Sequence, residues 1–269
     1  MMNYKLPLSD ILPCGVCRFS DVGELLQCRA KSRIPENAKS VIVYLFPYYL
    51  GDKFYKDSNI SKYAVSEDYH NVVGNMLKGI IEELKSDFPN NKFEYFCDNS
   101  PIKEVEASFL CGLGVKGRNG LLINKDYGSF CFVGEIVTDV EFPYSLPEDR
   151  DCLNCGICEK MCPNKAIHKG RVDIEKCLSD ITQRKGELTQ EQTSLIEKSD
   201  SIWGCDVCQN VCPMNKNIKV TPIKEFFDSA IKTFNIGDNI DGRAYAWRGR
   251  AVIERNFKIK YCKDNQNIL

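Results

Sequence analysis

The sequence predicts an α+β fold in which an α/β domain is followed by a compact cysteine-rich module and a short helical tail. Three observations carry this prediction. Strand-like and helix-like patterns alternate through residue 140. Eight of the fifteen cysteines fall between Cys152 and Cys212. The 269 residues, 43% of them hydrophobic, suffice for one sizeable core plus a smaller unit. The expected divisions are 1–145, 146–218 and 219–269.

Taken in order, SVIVYLFPYY at 40–49 is a continuous β-branched and aromatic run, which reads as a buried strand. In residues 62–88, Val72, Val73, Met76, Leu77, Ile80, Ile81 and Leu84 recur at helical spacing, and Pro89 stops the helix. KFEYFCD, 92–98, is a second strand. Asn99, Ser100 and Pro101 offer a cap and a first-turn proline for a helix running to about Leu110, with Gly112 and Gly114 closing it. LLIN and SFCFVGEIVTD, either side of Lys125–Gly128, predict a β-hairpin. YSLPEDRD, 144–151, has the composition of a linker, and the chain turns helical and then basic after Val220.

Lysine and arginine total 36 against 37 acids, a net charge of −1, so no global field favours nucleic acid or membrane. MMNYKLPLSDILPC lacks the apolar stretch of a signal peptide, and no run is long enough to span a bilayer, so a cytoplasmic protein without a membrane partner is expected. In a reducing compartment, such heavy cysteine usage points to metal or redox work.

The pattern C-x2-C-x2-C-x3-C-P occurs at Cys152, Cys155, Cys158 and Cys162, and its last three positions repeat at Cys205, Cys208 and Cys212. It matches the bacterial ferredoxin run, in which the fourth cysteine ligates the other cluster. Two 4Fe-4S clusters follow. The rule assigns one to Cys152, Cys155, Cys158 and Cys212. The other takes Cys162, Cys205 and Cys208, with Cys177 as the candidate between the motifs for its fourth thiolate. Paired zinc knuckles about 15–20 residues apart fit this spacing poorly. No dinucleotide, P-loop or zincin motif accompanies the module.

FCDNSPIKEVEASFLCGLGVKGRNGLLINKDYGSFCFVGEIVTD (96–139), SKYAVSEDYH (61–70) and WGCDVCQNVCPMN (203–215) together resemble the cobalamin-dependent epoxyqueuosine reductases over roughly residues 35–215. The resemblance implies a nitroreductase-like cobalamin-binding α/β domain ahead of the bacterial ferredoxin-like module. It also implies reduction of the epoxide of epoxyqueuosine in tRNA, with clusters passing electrons singly to the corrinoid cobalt. The proton donor maps onto Asp98, whose pKa must then be raised by burial above its ordinary ~3.9. A plainer reading makes Asp98 a loop residue beside a helix cap. Cofactor contacts map onto Lys62, Tyr63, Tyr69, Gly114, Gly117, Asn119 and Gly134, and more weakly onto Ser179, Thr182 and Lys185 of SDITQRKGEL. His70 reads as a capping or surface histidine. An external low-potential donor such as flavodoxin or ferredoxin is expected.

Two regions depart from the family. Its full-length members continue into helical repeats that hold tRNA, whereas here about 55 residues follow Pro213. Residues 241–263 carry Arg243, Arg248, Arg250, Arg255, Lys258, Lys260 and Lys263 against Asp241 and Glu254, a patch that fits either tRNA phosphates or a solvated helix face. Cys14, Cys17 and Cys28 have no family counterpart and read as small apolar packing or as a metal or dithiol group. Two rival functions remain open: a corrinoid-dependent reductase of a small molecule, and a non-catalytic two-cluster electron carrier or corrinoid activator.

Overall fold

A computed structural model describes residues 4–262. Strand β1 (Cys14–Arg18) and β2 (Ser40–Pro47) come first, and the short helix α1 (Asp52–Tyr55) and long helix α2 (Tyr69–Asp87) lead to β3 (Phe93–Cys97). Helix α3 (Glu104–Leu110), the two-residue strands β4 (Val115–Lys116) and β5 (Leu122–Ile123), and β6 (Cys131–Thr138) follow. The main sheet runs β1-β2-β6-β3 and is antiparallel throughout.

Side chains of β2 alternate between two apolar layers. Ile42, Tyr44 and Phe46 meet Val73, Leu77, Ile80 and Leu84 of α2. Val41, Val43 and Leu45 meet Ile102 and Ala107 at α3. A strand covered on both faces reads as the uninterrupted apolar run seen in the sequence.

Three expectations need correction. The helical pattern from residue 62 is broken: Lys62–Ala64 is a separate 3-10 turn, and α2 starts where Asp68 accepts the His70 backbone N–H at 3.0 Å. Helix α3 begins after Lys103 rather than at Pro101, because Asp98 and Asn99 take left-handed φ of 55° and 43° and Ser100 turns inward to Glu135. The expected hairpin does not form. Strand β6 is taken by β2 and β3 on its two edges, β5 pairs with β4, and Asn124–Gly128 forms an isolated bridge.

The cysteine-rich stretch comprises α4 (Ile157–Met161), the hairpin β7 (Ile167–His168) and β8 (Arg171–Val172), and helices α5 (Leu178–Ile181), α6 (Gln190–Lys198) and α7 (Val207–Asn210). Helices α4 and α7, one from each cysteine motif, pack together. The segment with α8 (Lys224–Asp228) and α9 (Arg250–Tyr261) is not a loose tail: Phe226, Phe234, Tyr245 and Ile253 lie in the same core as Phe46 and Leu77. Asn59 fixes it by donating to the Phe234 carbonyl and accepting the Phe234 N–H, both at 2.8 Å. Among the described residues, no helix is long and apolar enough to cross a membrane.

Candidate redox and proton-transfer site

The cysteines gather into two groups. Cys152, Cys155, Cys158 and Cys212 line one cavity with Arg118 and Asn119. In the second group, Cys205 and Cys208 feel each other and both Cys177 and Cys162 electrostatically, and Cys162, Cys177 and Cys208 pack around Ala166 and Ile167. Burial pushes the Cys205 thiol up to about 11 and Cys208 to about 12, so iron binding there must release protons. Backbone N–H groups already face the sulfurs: Ala166 donates to Cys162 Sγ at 3.2 Å, Val207 bonds Cys205, and Met214 and Asn215 bond Cys212. No three His, Cys, Asp or Glu side chains among the described residues converge on a single-ion position. Two sets of four sulfurs with N–H donors around them fit a pair of cubane clusters in donor number and polarity.

The second motif is bolted to the α/β part by polar side chains. Asn215 accepts the Ser129 N–H at 2.9 Å and donates to Ser129 Oγ at 2.9 Å, while Ser129 Oγ donates to Gln209 Oε1 at 3.0 Å. Asp206 accepts the Lys62 backbone N–H at 2.8 Å, and Lys62 Nζ bonds Asn210 between the rings of Tyr55 and Phe130. Burial lowers the Lys62 pKa and the Asp206 charge opposes that shift. Tyr63 accepts the Trp203 indole N–H at 2.8 Å. Lys62 and Tyr63 thus brace the motif that carries Cys205. Ser129, Gln209 and Asn215 were not singled out from sequence, since small polar residues carry no periodic signal.

Asp98 sits where β3 ends. Its carboxylate accepts the Tyr69 hydroxyl at 3.0 Å and its own Asn99 N–H at 2.8 Å, and lies 3.4 Å from His70 Nε2. Its side chain is 61% exposed. The hydrogen bond from His70 is the main influence holding it down to about 2, so the expected rise by burial is not found. His70 instead carries the proton: its Nδ1 lies 2.7 Å from Asp68, and the two carboxylates raise it to about 9. Sequence reading passed over this histidine because Asp68, two positions earlier, also caps α2. Tyr69 is held flat against Phe132, with ring centroids 4.2 Å apart and an interplanar angle of 7°.

A cavity of about 200 Å³ opens beside Asp98, walled by Leu45, Leu122, Phe132 and Val133 and bordered by Tyr69 and Glu104. Burial, with the Asp98 charge second, lifts Glu104 to about 7. Of the residues expected to contact a cofactor, Tyr69 lines this cavity. Gly114 and Gly134 do not: a Cβ on Gly114 would lie 2.6 Å from the Ile123 carbonyl oxygen, and one on Gly134 would lie 2.7 Å from Phe46, so close approach there is to the protein's own core. Gly117 and Asn119 belong to the β4–β5 turn facing the cysteines. Thr182 is a buried pin, accepting the Gly204 N–H at 2.9 Å and donating to the Ser179 carbonyl at 2.8 Å, and Lys185 is exposed.

The basic patch is largely engaged within the molecule. Arg243 bonds the Val65 and Ser229 carbonyls, Arg255 those of Arg184 and Gly186, and Lys260 that of Ser199. Arg250 pairs with Glu254 at 3.4 Å, and Lys263 lies outside the described residues. Arg248 packs on the exposed Trp247 ring, and Lys258 is exposed.

Comparison with known proteins follows this division. Residues 29–99 match the family "Epoxyqueuosine reductase QueG, DUF1730", and residues 151–215 match the "4Fe-4S double cluster binding domain". The epoxyqueuosine reductase of Leadbetterella byssophila is 33% identical over 239 residues, covering 87% of this chain and 78% of that protein. That of Lactococcus garvieae is 32% identical over 228 residues, covering 79% of this chain. The chain spans 63% of the length of the Lactococcus protein. A crystal structure of an epoxyqueuosine reductase with an epoxyqueuosine-modified tRNA-Tyr stem loop superposes with a TM-score of 0.77 at 21% identity, covering 93% of this chain and 77% of that one, which shows a shared fold.

Proposed function

The chain belongs to the epoxyqueuosine reductase family, and from that premise we propose that it reduces the epoxide of epoxyqueuosine in tRNA to the alkene of queuosine, using two 4Fe-4S clusters and cobalamin. The observation that carries this reading is the pairing of two four-cysteine groups with a carboxylate–histidine–tyrosine set beside a cavity of mixed polar and apolar lining. The cluster ligands are Cys152, Cys155, Cys158 and Cys212 in one group, and Cys162, Cys177, Cys205 and Cys208 in the other. Leu122, Phe132 and Tyr69, which line the cavity beside Asp98, would hold one face of the corrin ring, with Asp98, Glu104 and Ser129 as the polar part of the same lining. When bound there, cobalamin would supply a strongly nucleophilic cobalt toward an epoxide carbon.

The protein's own residues manage the proton. At neutral pH Asp98 is ionised and His70 is charged. Reduction of the epoxide to the alkene takes two electrons, supplied by the external donor, and two protons, so that the ring oxygen departs as water; the first proton, on the oxygen freed as the ring opens, must come from the site. Asp98 passes that proton on as His70 Nε2, 3.4 Å away, releases its own in the same step, so that a free protonated Asp98 is never formed, while the Tyr69 hydroxyl keeps the carboxylate aimed at the cavity. His70 is therefore a proton store and Asp98 the group that meets substrate.

The tRNA is met in part by the exposed Trp247 and Lys258, with the half-buried Arg248 packed on the Trp247 ring beside them. Electrons arrive from an external low-potential donor in the cytoplasm. Anaerobically reconstituted protein, given cobalamin, a low-potential reductant and epoxyqueuosine-containing tRNA, should form queuosine. Cobalamin binding with full clusters but no reaction on the tRNA, together with turnover of a free small substrate, would assign the rival activity instead.

A further inference from the structure

The turn between β4 and β5, residues 117–120, is wedged between the two cysteine groups. Arg118 anchors it to α4 through two hydrogen bonds to Glu159, at 2.7 and 3.1 Å. Gly117 lets it fold tightly, since a Cβ there would lie 2.5 Å from Asn119 Oδ1. At its tip the Asn119 side chain is buried, 6% exposed, and Oδ1 accepts the Leu121 N–H at 3.4 Å. The other end of the amide is unexplained: among the described residues Nδ2 is buried without a well-formed hydrogen bond. A buried amide donor left without a partner is strongly disfavoured. It faces sulfur on both sides, lining the cavity of Cys152, Cys155, Cys158 and Cys212 and lying within side-chain hydrogen-bonding reach of Cys208.

We infer that Asn119 donates its side-chain N–H to the sulfur of the Cys208 cluster, and so sets that cluster's reduction potential rather than touching the corrinoid. A hydrogen bond to a cluster sulfur stabilises the more negatively charged reduced form, raising the potential. The turn thereby gives the α/β domain a direct means of adjusting electron transfer inside the cysteine module. This inference rests on the two-cluster reading, and the two are separable by experiment.

The full chain is reconstituted anaerobically as wild type, Asn119→Leu, Asn119→Asp and Asn119→His. Iron and sulfide content is measured first, and then both clusters are titrated by EPR-monitored potentiometry. Wild type lacking iron for two clusters would defeat the underlying reading. With full iron, Asn119→Leu and Asn119→Asp should each move one cluster midpoint to a more negative potential, and Asn119→His, which keeps an N–H donor, should recover part of that shift. Unchanged midpoints in the loaded Leu and Asp variants would overturn the inference. So would loss of iron in all three variants, which would make Asn119 a structural residue only.

Discussion

At the scale of single residues, the ionisation pattern around Asp98 decides how the site works. Asp98 lies below its ordinary range because His70 donates to it, and His70 lies above because Asp68 and Asp98 surround it. The sign follows for each. The stabilisation from Asp98 is present above its unfolded value of ~3.9 and is lost as pH falls through about 2. That from His70 is present below ~6.5 and is lost as pH rises through about 9. Both side chains are substantially exposed, so their weight in stability is small, and the consequence lies in catalysis. Turnover should fall as pH rises through about 9, where His70 loses its proton, and His70→Ala should remove that limb while slowing turnover about 10-fold or more. A pH–rate profile of the variant that keeps the alkaline limb would show that another group holds the proton. Asp98→Asn should lower turnover about 100-fold or more with cluster absorbance intact.

At the scale of elements, β6 carries two side-chain positions with opposite demands. Gly134 faces α2, and a Cβ would press on Phe46 and Leu77, so Gly134→Ala should destabilise by about 1–3 kcal/mol, read as a lower Tm. Glu135, fully buried on the other face, bonds Ser100 with one oxygen and leaves Oε1 without a partner. Burial raises its pKa well above the ordinary carboxylate value, so in the fold it keeps its proton to higher pH than in the unfolded chain. Its burial therefore costs stability as pH rises above about 4.5. Glu135→Gln should raise Tm at pH 7, with the gain shrinking toward pH 4, and an equal gain at both values would contradict a neutral Glu135. Elements with strong periodicity, β2 and α2, were legible in the sequence. The start of α3 and the pairing of β6 were not, because Asp and Asn favour both helix caps and left-handed turns, so the residue types of Asp98 and Asn99 fit either, and strand partners are chosen by tertiary packing.

At the scale of the whole molecule, the doubled cysteine spacing predicts two sets of four cysteines, because a cluster imposes the spacing of its ligands, and the fold brings the members of each set near one another. What spacing does not carry is how the module is attached. Ser129, Gln209 and Asn215 make that joint with hydrogen bonds between distant segments, and nothing local marks them. Asn215→Ala removes two of the hydrogen bonds of Ser129, leaving the one to Gln209, and should cost about 1–3 kcal/mol, seen as lower Tm and faster loss of iron on dilution into chelator. Unchanged iron retention would mean the joint does not support the clusters. The C-terminal stretch read as a tail proved part of the core, because Phe226, Phe234 and Tyr245 are too widely spaced to form a recognisable pattern yet converge in space.

The central claim is that the cysteine groups and the Asp98–His70–Tyr69 set serve one reaction on epoxyqueuosine in tRNA. It is tested most directly by nucleoside analysis of modified tRNA after incubation with the anaerobically reconstituted, cobalamin-loaded chain and a low-potential reductant. Queuosine should accumulate with wild type and be abolished or nearly so with Asp98→Asn. An absence of queuosine from wild type carrying both clusters and bound cobalamin would contradict the account.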